Sequence, residues 1–233
     1  MKLPPLQVIY EDNHCLAIAK PAGATSAHYQ GVAETLDRQV KAYLKEKYQK
    51  PGNVFLGVVQ RLDRPVSGVL LFARTSKAAA RLAAQFRDGH VEKIYWAVVE
   101  GKPTPPAGRL EDWLRKDHDQ RRVHVVAQGL EGAKQASLAY QTRATRRELA
   151  ALELRPHTGR THQLRVQLAS RGHPIYGDKK YGSPHDFDGA VALHARSLTF
   201  EHPVRHERIA LTADLPGVWR RRFGDLVSSL ATT

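Results

Sequence analysis

The stretch Q-R-L-D-R-P-V-S-G-V-L-L-F-A-R-T, residues 60–75, holds a single carboxylate, Asp63, between Arg61 and Arg64, with an apolar run on either side. A carboxylate can attack an electrophilic carbon or accept a proton, and rigid scaffolds commonly present such groups on loops. A turn aspartate that bonds its own backbone, or that pairs with Arg61 or Arg64, would have the same local sequence. A second cluster, H-T-G-R-T-H-Q-L-R at 157–165, crowds Arg160, His162 and Arg165 around an expected helix start, where backbone N–H groups favour anions. Arginine suits forked contact with phosphate or carboxylate, so the cluster reads as a phosphate site, a partner for Asp63, or a solvated basic helix face. No Walker phosphate loop, dinucleotide glycine fingerprint, HExxH helix or GxSxG elbow is present. His202 and His206 have i, i+4 spacing, but Pro203 spoils a helix there and no acid or cysteine completes a set, so no metal site is expected.

The chain has 233 residues, enough for a proper core in one domain or one domain with two lobes, and its 42% hydrophobic residues are those of a globular protein. Thirty-six Lys and Arg against 23 Asp and Glu leave a formal charge of +13. Such a field attracts polyanions by releasing their counterions, which makes nucleic acid the leading partner. The single cysteine, Cys15, rules out an internal disulfide and a cysteine-rich zinc site, fits a reducing cytosol, and reads as core packing in C-L-A-I-A-K. The N-terminal residues lack an apolar signal core, and no apolar stretch approaches the ~20 residues that span a bilayer. A cytoplasmic protein without a membrane partner is expected.

The elements that must position these groups follow from periodicity. L-Q-V-I-Y and C-L-A-I-A-K read as a hairpin around E-D-N-H. Residues 35–48 place Leu36, Val40, Tyr43 and Leu44 on one face of an amphipathic helix. V-F-L-G-V-V and V-L-L-F-A are strands, so Asp63 falls at a strand-to-strand corner. Thr75 or Ser76 caps an alanine-rich helix that Gly89 ends. V-E-K-I-Y-W-A-V-V-E-G reads as a long strand, and four further segments between 109 and 155 read as an antiparallel meander. A short helix follows from Thr161, with Leu164 and Leu168 on one side. The long loop H-P-I-Y-G-D-K-K-Y-G-S-P-H-D-F-D-G comes next. Two closing strands and a basic helix with Pro216 in its first turn complete the chain.

Taken together, R-L-D-R-P-V-S-G-V-L-L-F-A-R-T, K-I-Y-W-A-V-V-E-G and T-G-R-T-H-Q-L-R-V-Q-L-A-S-R-G-H-P-I-Y-G-D-K-K-Y-G resemble the RluA-type family of RNA pseudouridine synthases. V-I-Y-E-D-N-H-C-L-A-I-A-K-P-A-G resembles the family's opening strand pair, and the likeness runs from about Leu6 to the last strands. It implies the pseudouridine synthase α+β fold, a mixed, largely antiparallel sheet with flanking helices and a central cleft, in a single catalytic domain over 1–233. The small N-terminal RNA-binding domain of many relatives is not expected. The likeness also implies that Asp63 is the catalytic aspartate, Tyr95 the active-site tyrosine, Arg165 the arginine that pairs with the carboxylate, and Arg61 the arginine beside it that can enter the RNA stack. Two departures stand out. Gln60, Pro65 and Val66 replace the commoner His and Thr around R-L-D and S-G, and Gln167 replaces the His of R-V-H. They bear on substrate contacts more than on the chemistry.

The reaction so implied moves C1′ of a uridine from N1 to C5 and requires no cofactor or metal. An acid held in a basic setting stays charged where burial would protonate it. Arg61, Arg64, Arg160, His162, Lys179 and Lys180 are then expected to contact RNA, a structured stem-loop of tRNA or ribosomal RNA, with W-R-R-R-F and the D-K-K-Y-G loop adding specificity. No obligate protein partner is evident and a monomer is the simpler state. Two rivals remain: an RNA hydrolase or lyase using His157, His162 or Asp178 as a second group, and a non-catalytic basic RNA-binding or ribosome-assembly module.

Overall fold

The computed structural model describes residues 3–230. In chain order the elements are β1 (Val8–Glu11), β2 (Cys15–Lys20), α1 (Leu36–Lys47), β3 (Gly57–Val58), β4 (Ser67–Ala73), α2 (Ser76–Arg87), β5 (Glu92–Glu100) and β6 (Ala107–Asp117). They continue with β7 (Arg122–Val126), β8 (Lys134–Arg146), β9 (Leu149–Pro156), α3 (Gln163–Ala169), a 3₁₀ turn (Lys179–Tyr181), β10 (Leu193–Glu201), β11 (Arg208–Thr212), α4 (Gly217–Phe223) and α5 (Asp225–Ser228). The class is α+β with largely antiparallel strand pairing. No helix among the described residues is long and apolar enough to cross a membrane.

The chain divides into two compact units, one formed by the residues up to Glu92 with Ala195–Asp214, the other by Lys93–His194 with the residues from Leu215 onward. In the first unit the strand order is β1-β2-β4-β10, with β11 on β10 and β3 on β4. β4 is buried throughout and β2 almost so, which explains why both read as near-continuous apolar runs rather than alternating ones. Their core joins Cys15, Ala17, Val69, Leu71, Phe200 and Leu211. α2 closes it with Ala78 and Leu82, one turn apart and both buried, and the Thr75 side chain caps the helix by accepting the Ala78 N–H. Cys15 is core, as its neighbours foretold.

In the second unit the order is β5-β9-β8-β6-β7. This departs from a simple meander, because β8 pairs with β6 along Ala107–Leu114 and not with β7. β7 spans only five residues and pairs with the far end of β6, Trp113–Asp117. The connection 127–133 then carries the chain past β7 to the free edge of β6. The segment V-F-L-G-V-V is also shorter than its apolar run suggests, with only Gly57 and Val58 in a ladder. Pro216 caps α4 rather than lying in its first turn.

One carboxylate ties the two turns of the first unit together. Asp12, in the β1–β2 turn, accepts the His14 and Cys15 amides through Oδ1 and takes the Tyr10 hydroxyl, His202 Nε2 and Arg205 through Oδ2. Burial alone would raise its pKa, but these donors outweigh it and bring the group down to about 2. The folded value lies below the ordinary one, so the stabilisation is complete above about pH 4 and is lost as pH falls towards 2. Urea unfolding of the wild type should therefore weaken over that interval. Asp12→Asn should show a smaller acid-induced loss and should be destabilised by about 1–3 kcal/mol at neutral pH.

Candidate active site

The loop that carries Asp63 is held from beneath by a clamp of backbone and side-chain bonds. Lys20, at the end of β2 and only 2% exposed, donates from Nζ to the carbonyl oxygens of Pro21 (3.0 Å), Arg64 (3.1 Å) and Val66 (2.6 Å). Its three N–H groups match three acceptors. Burial pulls the Lys20 pKa down to about 7, while the Asp63 charge acts in the opposite direction. Beside it, Ser26 Oγ donates to Leu62 O and accepts from Leu62 N, and Gly23 N donates to Arg64 O. Arg64 returns a bond from Nε to Gly23 O (3.0 Å), and Val66 N closes a turn on Asp63 O (3.0 Å). Asp63 itself is half-buried.

The glycine after Ser67 follows from the same close packing. Gly68 has φ +122, and a Cβ there would lie 2.3 Å from the carbonyl oxygen of Ala195 on β10. Only glycine allows β10 to approach β4 directly beneath the loop. Gln60, on the other side, donates to Val69 O (3.2 Å), and Val66 is buried. The departures at Gln60 and Val66 are thus built into the loop's own support.

In the second unit, Tyr95 is half-buried on β5, in register with Leu154 of β9. Arg165, on α3, is 5% exposed and forms a forked pair with Asp178, Nε to Oδ2 at 2.6 Å and Nη2 to Oδ1 at 2.8 Å. Its guanidinium lies 5.1 Å from the centre of the Tyr181 ring, and Arg122 lies 5.1 Å from that same centre. The Tyr181 hydroxyl accepts the Val123 N–H (3.0 Å) and sits 2.8 Å from His162 Nδ1. That contact holds His162, the residue before α3, in a left-handed conformation at φ 52. The loop before it is tied by Gln163, which accepts from Thr158 Oγ1 and Arg160 N and donates to Ser137 O.

Gln167 is fully buried and donates to Asp112 Oδ2 (2.8 Å) and Leu110 O, while Arg171 donates to Asp112 Oδ1 (2.9 Å). The departure at this position therefore anchors α3 to β6 and leaves no side chain there for a substrate. Its Oε1 is buried without a partner among the described residues.

The residues expected at an RNA surface fall in both units. Arg61 is exposed and makes no hydrogen bond or ion pair among the described residues. Arg160 is exposed with Nε on Gln135 O, Lys179 pairs with Asp186 (2.8 Å), and Lys180 donates to Arg121 O. Lys20, Ser26 and Gln163 were not legible as site residues, whereas Asp178 was read only as a second group of a rival hydrolase or lyase and Tyr181 only as part of the D-K-K-Y-G loop. A lysine ending a wholly apolar strand was the single available signal for the first of them.

Asp12, Cys15 and His202 bring possible metal-ligand atoms within 4.8 Å of one another. The donor set does not suit a metal. Asp12 is saturated by its hydrogen bonds, and burial pushes the Cys15 thiol up to about 12, so no thiolate forms at neutral pH.

The family model described as RNA pseudouridylate synthase matches residues 14–170, a span that includes Asp63, Tyr95 and Arg165. The chain belongs to the RNA pseudouridine synthase family. It is an isomerase that converts uridine in RNA to pseudouridine. Among curated relatives, the dual-specificity RNA pseudouridine synthase RluA of Vibrio vulnificus is 35% identical over 88% of this chain and 82% of its own. The tRNA pseudouridine synthase C of Vibrio parahaemolyticus is 30% identical over 94% of both chains. The ribosomal large subunit pseudouridine synthase D of Zymomonas mobilis is 32% identical over 91% of this chain and 70% of its own. Among solved structures, human RNA pseudouridylate synthase domain containing 4 superposes with a TM-score of 0.76 at 26% identity, covering 97% of this chain and 92% of that one.

The clamp makes the synthase sensitive at two scaffold positions. Lys20→Met would strand carbonyl oxygens beneath the loop, and the melting temperature should fall by roughly 5–10 °C with a parallel loss of isomerase activity. Gly68→Ala should force β4 and β10 apart and destabilise by about 3 kcal/mol or more, read by urea unfolding.

Proposed function

We propose that this synthase modifies a structured tRNA or ribosomal RNA stem-loop, with Asp63 as its catalytic carboxylate. The observation that carries the reading is a single acid on a loop held by Lys20, Ser26 and Gly23, inside a stretch matched to the family. The +13 charge supports an RNA partner, and the named relatives are a ribosomal large subunit, a tRNA and a dual-specificity RNA pseudouridine synthase.

In this reading the target uridine leaves its stack, at a cost of a few kcal/mol that is smallest in a loop. Asp63 either attacks C1′ or assists loss of the 2′ proton, and the N1–C1′ bond breaks with its electron pair going to the uracil. The base turns and C5 bonds to C1′, displacing the Asp63 carboxylate in the first route or with a proton returned to C2′ in the second; the C5 proton then leaves, and N1 takes up a proton. Tyr95 stacks on the uracil, and its hydroxyl helps to remove the C5 proton. Arg165 serves as the arginine partner of the catalytic carboxylate, while Asp178, through its forked bond, keeps Arg165 in place. Arg61, unpaired at the surface, enters the RNA stack beside the target, and Arg64, Arg160, His162, Lys179 and Lys180 contact the RNA backbone.

Tritium release from RNA labelled at uridine C5 tests this directly. Wild type should release tritium from unmodified tRNA or ribosomal RNA, and Asp63→Asn should release none while still binding that RNA. Full release by Asp63→Asn would overturn the assignment. Asp178→Asn should lower kcat by about 10-fold or more, because Arg165 loses the carboxylate that fixes its guanidinium.

A further inference from the structure

β5 carries a half-buried cation that has no partner among the described residues. Lys93 lies two residues before Tyr95, so strand alternation puts both side chains on one face, about 7 Å apart along the strand. Lys93 is half-buried, and among the described residues its ammonium has no hydrogen-bond acceptor and no carboxylate partner. Several other sheltered cations are satisfied within the protein. Lys20 has its carbonyls, Arg165 has Asp178, Arg143 has Glu153 and Arg74 has Glu11.

Burial lowers the Lys93 pKa, and no neighbouring charge opposes the shift. A partly desolvated charge without a partner is destabilising, and proteins keep such groups where a ligand supplies the counter-charge. The anion available to an RNA-modifying enzyme is a phosphodiester. The span from Tyr95 to Lys93, extended by the lysine's own four-carbon stem, is one that a single nucleotide bridges.

We infer that Lys93 is a substrate-binding residue that takes a backbone phosphate next to the target uridine while Tyr95 meets the base. This rests on the reading of Tyr95 given above. The unbound enzyme carries an unpaired ammonium on that face, and RNA binding pairs it. Lys20, by contrast, is paired within the protein.

The test compares wild type, Lys93→Met and Lys93→Arg with an unmodified stem-loop RNA substrate, recording binding over a range of salt concentrations, steady-state kinetics and thermal melting. Removing one phosphate contact should make the slope of log K against log salt shallower by about 0.7–0.9 in Lys93→Met. KM should rise several-fold with most of kcat kept, and the free protein should melt at a higher temperature because a desolvated charge is gone. Lys93→Arg should restore the slope. A slope unchanged in Lys93→Met, or changed equally in both variants, would overturn the inference, as would a lowered melting temperature in Lys93→Met. Tritium release by wild type in the same preparations reports separately on the isomerase reading. If wild type releases tritium and Lys93→Met keeps the wild-type slope, the phosphate contact alone fails. If wild type releases none, the reading of Tyr95 fails, and with it the placement of the phosphate beside a target uridine.

Discussion

A buried ammonium group gathers the loop on which the proposed chemistry depends. Lys20 Nζ draws the carbonyls of Pro21, Arg64 and Val66 to one point, and these belong to the two segments that flank Asp63 in space. Oxygens left there without a donor would each be destabilising, so the lysine, the P-A-G-A-T-S loop and the R-L-D-R-P-V-S-G loop form one cooperative unit. Gly68 and Ser26 make the same unit compact. Asp63 is then held on a rigid backbone, as its proposed catalytic role requires.

The second unit solves a similar problem with different groups. Arg165 is fixed by a carboxylate on one side and an aromatic face on the other, and the Tyr181 hydroxyl extends that support to β7 and to the turn before α3. The left-handed His162 is a local conformational cost at the head of a short helix, offset by this contact and by Gln163. Basic residues of the chain thus fall into two kinds. Some, such as Lys20 and Arg165, are sheltered and satisfied by the protein itself, while Arg61, at the surface, and Lys93, half-buried, have no hydrogen bond or ion pair among the described residues.

The amino-acid sequence by itself determined the local elements and the chemistry on offer. Apolar runs without alternation announced β2 and β4, the spacing of Ala78 and Leu82 behind Thr75 announced α2, and the ordered motifs around Asp63, Tyr95 and Arg165 announced the family. These signals are local or are carried by contiguous motifs, so they survive without a structure. Tertiary structure alone decided that β8 lies against β6 rather than β7, because pairing depends on which strand edge a connection can reach. It alone decided that Arg165 has Asp178 as a partner, that Lys20 serves carbonyls far along the chain, and that Gln167 faces Asp112 rather than a substrate. Each of these is a contact between residues distant in sequence, set by close packing, and no periodicity or composition encodes which distant atom fills a given hydrogen bond.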